Sequence, residues 1–196
     1  MPTNGTALLI IDMQNDFCLP GAPFEVRGGL TIVPKILELR RAFRARGLPV
    51  IFVIREHAPD GSDVEITRRP RFLGVGGAFI RGTVGHALVD GLEPHPDEPM
   101  LIKKRWSAFH KTQLEHLLHS LGVSRVVLTG VQTPNCIRAT AFDANSLDFE
   151  VVVAADATTA SAPEIHEANL QDMARIGIAV EPASEIVRGL TAETQR

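Results

Sequence analysis

Cysteine is scarce in this chain. Only Cys18 and Cys136 occur among 196 residues, and their separation fits neither a redox pair nor a zinc-ligand spacing. So few thiols exclude a disulfide-stapled scaffold and favour a reducing cytoplasm. No sign of charge dominates: 20 Lys and Arg stand against 23 Asp and Glu, interspersed, for a formal net charge of −3. That balance argues against nucleic acid or an anionic membrane as partner. Long apolar runs are missing as well. The start, Met1-Pro2-Thr3-Asn4-Gly5-Thr6, has no basic n-region, and the apolar run after it is too short for a signal segment or a membrane span. No repeat or low-complexity tract breaks the chain. The expectation is a single cytoplasmic domain over residues 1–196, large enough to bury a core without covalent staples.

What is present is a regular alternation. Ala7 to Ile11, Val50 to Ile54, Met100 to Lys103, Val126 to Thr129, Glu150 to Ala154 and Ile178 to Val180 are short, rich in β-branched residues and not alternating in polarity. Strands of that kind lie inside a parallel sheet with both faces covered. Between them Val33 to Arg46, Thr112 to Leu121, Pro134 to Leu147, Pro163 to Ile176 and Ala183 to Leu190 read as helices, the first ending at Gly47-Leu48-Pro49. Such repetition predicts a three-layer α/β/α sandwich with right-handed crossovers.

One segment, Arg55 to Pro99, breaks the alternation and is rich in glycine, proline and arginine. Long irregular insertions in compact domains act as lids or interface arms. A brief helix is expected at Thr83 to Leu88. Ile66, Phe72, Leu73, Val75, Phe79 and Ile80 lack a helical or strand period, so a neighbouring subunit is expected to cover them. Closed symmetry then favours a homodimer or a dimer of dimers. The alternative is a lid folded over its own sheet.

Chemistry concentrates at three strand ends. Cys136 stands in Gly130-Val131-Gln132-Thr133-Pro134-Asn135-Cys136-Ile137-Arg138, a turn that closes one apolar run and opens a helix. A helix start favours negative charge on sulfur, and its free N–H groups can hold an oxyanion. Burial as an inert thiol is the alternative. The first apolar run ends in Asp12, and a later one ends in Lys103-Lys104. Ligands bind at that C-terminal edge of open α/β sheets. Taken singly, the aspartate can be a turn residue and the lysines solvent-facing ends.

Ile10 to Phe17, Lys103 to Leu114, Thr129 to Ala144 and Val151 to Ala157 together resemble the isochorismatase-like cysteine hydrolases. That family includes nicotinamidases, N-carbamoylsarcosine amidases, ureide and biuret hydrolases and isochorismatases. The resemblance implies a six-stranded, mainly parallel Rossmann-like sheet of order 3-2-1-4-5-6. It implies Asp12 as general base, Lys103 as electrostatic partner and Cys136 as nucleophile. Lys103 is preferred to Lys104 because it lies four residues before Ser107 of Ser107-Ala108-Phe109, and because strand alternation sends its neighbour to the other face. The oxyanion donors implied are the Cys136 N–H and a group set by a cis peptide at Val131-Gln132. Phe17, Trp106, Phe109 and Arg138 are expected around the substrate, with arginines of the insertion as further candidates for a carboxylate or ureide oxygen.

No cofactor is expected. The zinc-binding histidine pattern of the family's nicotinamidases is not matched: His57, in Arg55-Glu56-His57-Ala58-Pro59-Asp60, has no second histidine close behind it, and His86 and His95 are badly spaced. His116 and His119 share a helix face beside Gln113 and Glu115 and read as surface residues. A small-molecule substrate is expected, and three functions stay open. One is hydrolysis of an amide, ureide or carbamoyl C–N bond through a thioester. The second is isochorismatase-type vinyl ether hydrolysis, against which Cys136 weighs. The third is a non-catalytic binding or thiol-sensing protein.

Overall fold

The computed structural model describes residues 5–193, so residues 1–4, on which the expectation of no leader rests, lie outside it. Six parallel strands form one sheet: β1 (Gly5–Ile11), β2 (Val50–Arg55), β3 (Met100–Lys103), β4 (Val123–Val131), β5 (Glu150–Thr159) and β6 (Ala179–Glu181). Their spatial order is β3-β2-β1-β4-β5-β6. β1 lies at the centre because its side chains are apolar on both faces. Leu8 and Ile10 face one layer, while Ala7, Leu9 and Ile11 face the other. Each such buried aliphatic side chain contributes about 1.5–3 kcal/mol.

The first layer holds α2 (Val33–Arg44) and α7 (Ala183–Glu193). Ile36, Leu39 and Phe43 of α2 recur at helical spacing and are fully buried. Gly47, at φ 66°, supplies the left-handed residue that closes the end of this helix, where Leu48 N donates to Phe43 O. The opposite layer holds α4 (Leu114–Ser120), α5 (Arg138–Ser146) and α6 (Pro163–Arg175). Pro134 to Leu147 is not one helix, since Thr133–Ile137 forms a wide π-helical turn before α5 begins.

The insertion departs most from expectation. Residues 83–88 form turns rather than a helix, and the insertion's helix is α3 (Arg69–Gly74), which has Pro70 in its first turn. The short α1 (Asn15–Cys18) takes a carbonyl that a helix at 83–88 needs for Leu88 N, since Asn15 Nδ2 donates to Val84 O at 2.9 Å. Asn15 N donates to Ala87 O, and Asp16 N donates to Gly85 O. Gly85 packs so closely that any Cβ there would overlap the Asp16 carboxylate. Phe72 and Phe79 do not await a neighbouring subunit. Both are 1% exposed, and Phe79 stacks 4.3 Å from Phe17. The insertion therefore covers its own sheet, while Ile66, Leu73 and Val75 stay exposed.

The step from β4 towards Cys136 requires a glycine. Gly130 has φ 106°, and a Cβ there would collide with the Ile11 carbonyl of the neighbouring strand. Both constraints act against any side chain. Gly130→Ala is expected to cost about 3 kcal/mol or more in urea unfolding. A midpoint within error of wild type would show that the β1–β4 edge relaxes freely.

Candidate functional site

The C-terminal edge of the sheet brings Asp12, Lys103 and Cys136 together. Asp12 follows β1 at φ 57°, a conformation uncommon for aspartate, with its N–H donating to Val53 O at 2.8 Å. Its side chain is fully enclosed. Lys103 ends β3, two strands away, in register with Arg55 of β2. Its stem reaches past β2, and Nζ donates to Asp12 Oδ2 at 2.7 Å and to Arg105 O at 3.0 Å. The same ammonium lies 3.4 Å from Cys136 Sγ. Cys136 sits on the π-helical turn, 2% exposed, and the Val131–Gln132 peptide just upstream is cis. Lys104 points out of the site, where Nζ pairs with Asp63 at 3.0 Å.

A second buried cation, from the segment whose arginines were expected to grip a substrate oxygen, touches the sulfur. Arg55 is 0% exposed, and its Nη2 stands 3.6 Å from Cys136 Sγ while donating to Arg105 O at 3.0 Å. Nη1 pairs with Glu65 Oε1 at 2.8 Å. Burial works to lower the basicity of this guanidinium, but the charges of Cys136, Asp12 and Glu65 outweigh it and the pKa rises. Burial likewise opposes ionisation of Glu65, yet Arg55 holds that carboxyl below the usual range. Arg55 opens the segment whose arginines were expected as candidates for a substrate oxygen; the structure places it at the end of β2, in register with Lys103. Gln14 fastens this corner. Its amide donates to Arg55 O and His86 O, and its carbonyl accepts from Arg55 N.

The residues expected around the substrate separate into different places. Trp106 is half exposed and lines a cleft of about 350 Å³ with Glu65, Thr67, Arg105, Ser107 and His110. Phe17 belongs to the core against Phe79, and Phe109 packs on Phe149 with ring centroids 5.9 Å apart. Arg138 turns away from the thiol. Its Nη2 pairs with Asp172 of α6 at 2.6 Å and its guanidinium lies over Phe142, because the helix that starts at Arg138 directs the side chain towards α6. Thr140 Oγ1 accepts from Ala108 N at 3.0 Å, which ties the Ser107-Ala108-Phe109 loop to α5.

His57 is buried, with Nδ1 3.0 Å from Asp63 and Nε2 3.4 Å from Arg55. Burial and the Arg55 charge push its pKa down to about 4. Among the described residues no group of three or more His, Cys, Asp or Glu side chains is placed to hold a metal ion. The cationic Arg55 beside His57 makes this corner a poor cation site on charge grounds. No helix of the described residues is long and apolar enough to cross a membrane.

Residues 6–185 match the isochorismatase domain family. The chain is 50% identical over 176 residues to an Arabidopsis thaliana protein described as a probable inactive nicotinamidase, a match covering 88% of this chain and 90% of that one. It is 33% identical over 186 residues to the ureidoacrylate amidohydrolase of Stutzerimonas stutzeri, covering 84% of this chain and 73% of that one. An isochorismatase family protein from Desulfovibrio vulgaris has a crystal structure that superposes with a TM-score of 0.92 at 46% identity. That superposition covers 96% of this chain and all of that one.

The two thiols differ sharply in setting. Cys18 is buried, and burial first, then the Asp12 charge, pushes its thiol up to about 12; Cys136 instead has two cations within 3.6 Å of its sulfur. Iodoacetamide at pH 7.5 is expected to modify Cys136 about tenfold or more faster than Cys18, read by peptide mass. Equal rates would remove any electrostatic distinction between them.

Proposed function

The chain belongs to the isochorismatase family, and on that footing we propose that it is a cysteine hydrolase that cleaves a C–N bond of a small amide, ureide or carbamoyl compound through a thioester. The observation that carries this reading is the contact of one ammonium, Lys103 Nζ, with both Asp12 Oδ2 at 2.7 Å and Cys136 Sγ at 3.4 Å. A buried base, a cation and a thiol held in that relation are the parts of an activated nucleophile. Asp12 takes the Cys136 proton, and Lys103 stabilises the resulting pair of negative charges. The thiolate adds to the substrate carbonyl, and the oxyanion is held by backbone N–H groups of the Gln132 to Cys136 turn. Protonated Asp12 returns its proton to the leaving nitrogen as the C–N bond breaks. Ammonia or an amine departs and a thioester remains. Water, deprotonated by Asp12, then hydrolyses the thioester and restores the thiol.

The description of the Arabidopsis relative keeps a second reading in view, a non-catalytic protein on the same fold. The buried Asp12–Lys103 pair favours catalysis, since a binding protein has no need to keep a carboxylate oxygen, Asp12 Oδ1, enclosed without a partner. Vinyl ether hydrolysis needs the aspartate but gives Cys136 no part. The chain is also proposed to assemble as a homodimer or a dimer of dimers, using the exposed Ile66, Leu73 and Val75 of the insertion. Light scattering on Ile66→Ser/Leu73→Ser is expected to report a smaller mass than wild type; a wild-type chain of 21.3 kDa in solution overturns assembly.

Ammonia release should be screened across amides, ureides and carbamoyl amino acids. On whichever substrate turns over, Cys136→Ala is expected to abolish release and Lys103→Ala to lower it about 100-fold or more. Lys104→Ala, at a solvent-facing ion pair, should stay within about twofold. Release that survives in Cys136→Ala rules out the thioester route.

A further inference from the structure

The reaction described above gives no task to Thr133 or His166, yet these two side chains meet behind the nucleophile. Thr133 opens the π-helical turn that carries Cys136, and it is 0% exposed. Its Oγ1 lies 2.7 Å from Nδ1 of His166, in the first turn of α6. β5 leaves the sheet ladder at this point: while β4 advances from Leu128 to Gly130, β5 advances from Val153 to Thr158, and the Ala155 carbonyl within that arch meets the imidazole. Burial works to lower the basicity of His166, and it outweighs the Ala155 carbonyl and the Glu167 charge, so the ring is uncharged at about pH 7.5. A neutral imidazole has one donor and one acceptor. The Ala155 carbonyl can only accept, so it takes the ring N–H, and Nδ1 is left to accept from the Thr133 hydroxyl.

α6 holds the nucleophile turn at both ends. His166, Asn169 and Asp172 recur at helical spacing along one side of α6. The first takes Thr133 at the start of the turn. The other two take Arg138 just past its end, Asn169 Oδ1 at 3.4 Å and Asp172 Oδ2 at 2.6 Å. These attachments differ in weight. The Arg138 and Asp172 side chains are 39% and 47% exposed, where water and salt screen an ion pair and leave it worth little. The Thr133 hydroxyl is enclosed, so loss of its acceptor leaves a buried donor unmatched. Cys136 stands between the two attachments, with Sγ 3.4 Å from Lys103 Nζ and 3.6 Å from Arg55 Nη2. Both distances depend on how the turn is seated, and misplacing a reacting group by about 1 Å lowers a rate by up to about 100-fold.

Resting on the cysteine hydrolase reading, we propose that His166 is a positioning residue for Cys136: it accepts the Thr133 hydroxyl and so seats the nucleophile turn where Lys103 and Arg55 both reach the sulfur. It acts through Thr133, from behind the turn. Its loss therefore lowers the reactivity of the thiol and of the bound complex rather than substrate binding.

Two readouts test this, one of them without turnover. The rate of Cys136 alkylation by iodoacetamide at pH 7.5 is read by peptide mass on the full chain, and kcat and KM are read from ammonia release on whichever substrate turns over. His166→Leu is expected to slow alkylation about tenfold and kcat about 30-fold, with KM within about twofold of wild type. His166→Asn keeps an acceptor, Oδ1, close to the place of Nδ1, and is expected to return both rates to within about threefold of wild type. Thr133→Val removes the hydroxyl at nearly constant shape and should repeat the His166→Leu losses. The double variant should be no slower than either single one, since neither partner is then left behind. Asp172→Asn, at the exposed attachment, should stay within about twofold. Should His166→Leu fail to fold, Thr133→Val against Thr133→Ser decides, the serine keeping the hydroxyl and the rates. Wild-type rates in His166→Leu or Thr133→Val, equal losses in His166→Leu and His166→Asn, a change confined to KM, or a larger loss in Asp172→Asn than in His166→Leu overturns the proposal. Failure of the hydrolase reading shows elsewhere, as ammonia release that persists in Cys136→Ala, and leaves the alkylation rates to judge the seating of the thiol.

Discussion

Everything at the candidate site depends on one ammonium crossing the sheet. Lys103 leaves an edge strand and passes the end of β2 to reach Asp12 beyond β1, a span of about 10 Å for two strand spacings. The lysine stem covers most of it, and the Asp12 backbone, at φ 57°, brings the carboxylate to within 2.7 Å. Both side chains are 0% exposed. Removing one partner of such a pair typically costs 3–5 kcal/mol, because a lone charge is left in a poorly polarisable interior. The fold therefore keeps this pair intact or keeps neither.

The second constraint is charge balance around the sulfur. Two cations, Lys103 and Arg55, both donate to the Arg105 carbonyl and both lie within 3.6 Å of Sγ. Asp12 answers the first and Glu65 the second. The arrangement stabilises negative charge on sulfur while leaving each guanidinium or ammonium a partner at rest. It also joins the insertion to the sheet, since Glu65 belongs to the irregular segment and Arg55 to β2. The aromatic cluster of Phe17, Phe24 and Phe79 backs that junction and fixes the insertion over the site rather than away from it.

The strands and most helices were legible because their periods are local properties. A run such as Ala7-Leu8-Leu9-Ile10-Ile11 is apolar on both faces and has no stable place except the middle of a parallel sheet. The three groups at strand ends were readable for the same reason, since each follows such a run directly. The helix expected at residues 83–88 failed on a non-local fact: its carbonyls are taken by Asn15 and Asp16, and its Gly85 faces a carboxylate. Phe72 and Phe79 read as an unclaimed patch because nothing in their spacing announces that His57 lies against Phe72, or Phe17 and Phe24 against Phe79. Arg138 was drawn to the site by its closeness in sequence to Cys136, but the helix it begins aims it at Asp172.

By itself the sequence determined the layered parallel architecture and the candidacy of Asp12, Cys136 and the Lys103-Lys104 pair, since hydrophobic period and strand-end chemistry are written in neighbouring residues. Only the tertiary structure decided that Lys103 spans two strands to reach Asp12, that Arg55 joins them at the sulfur, and that Glu65 of the insertion pairs with Arg55. Those relations join residues dozens of positions apart. Packing and the cost of burying charge select them, and neither acts until the chain has closed on itself.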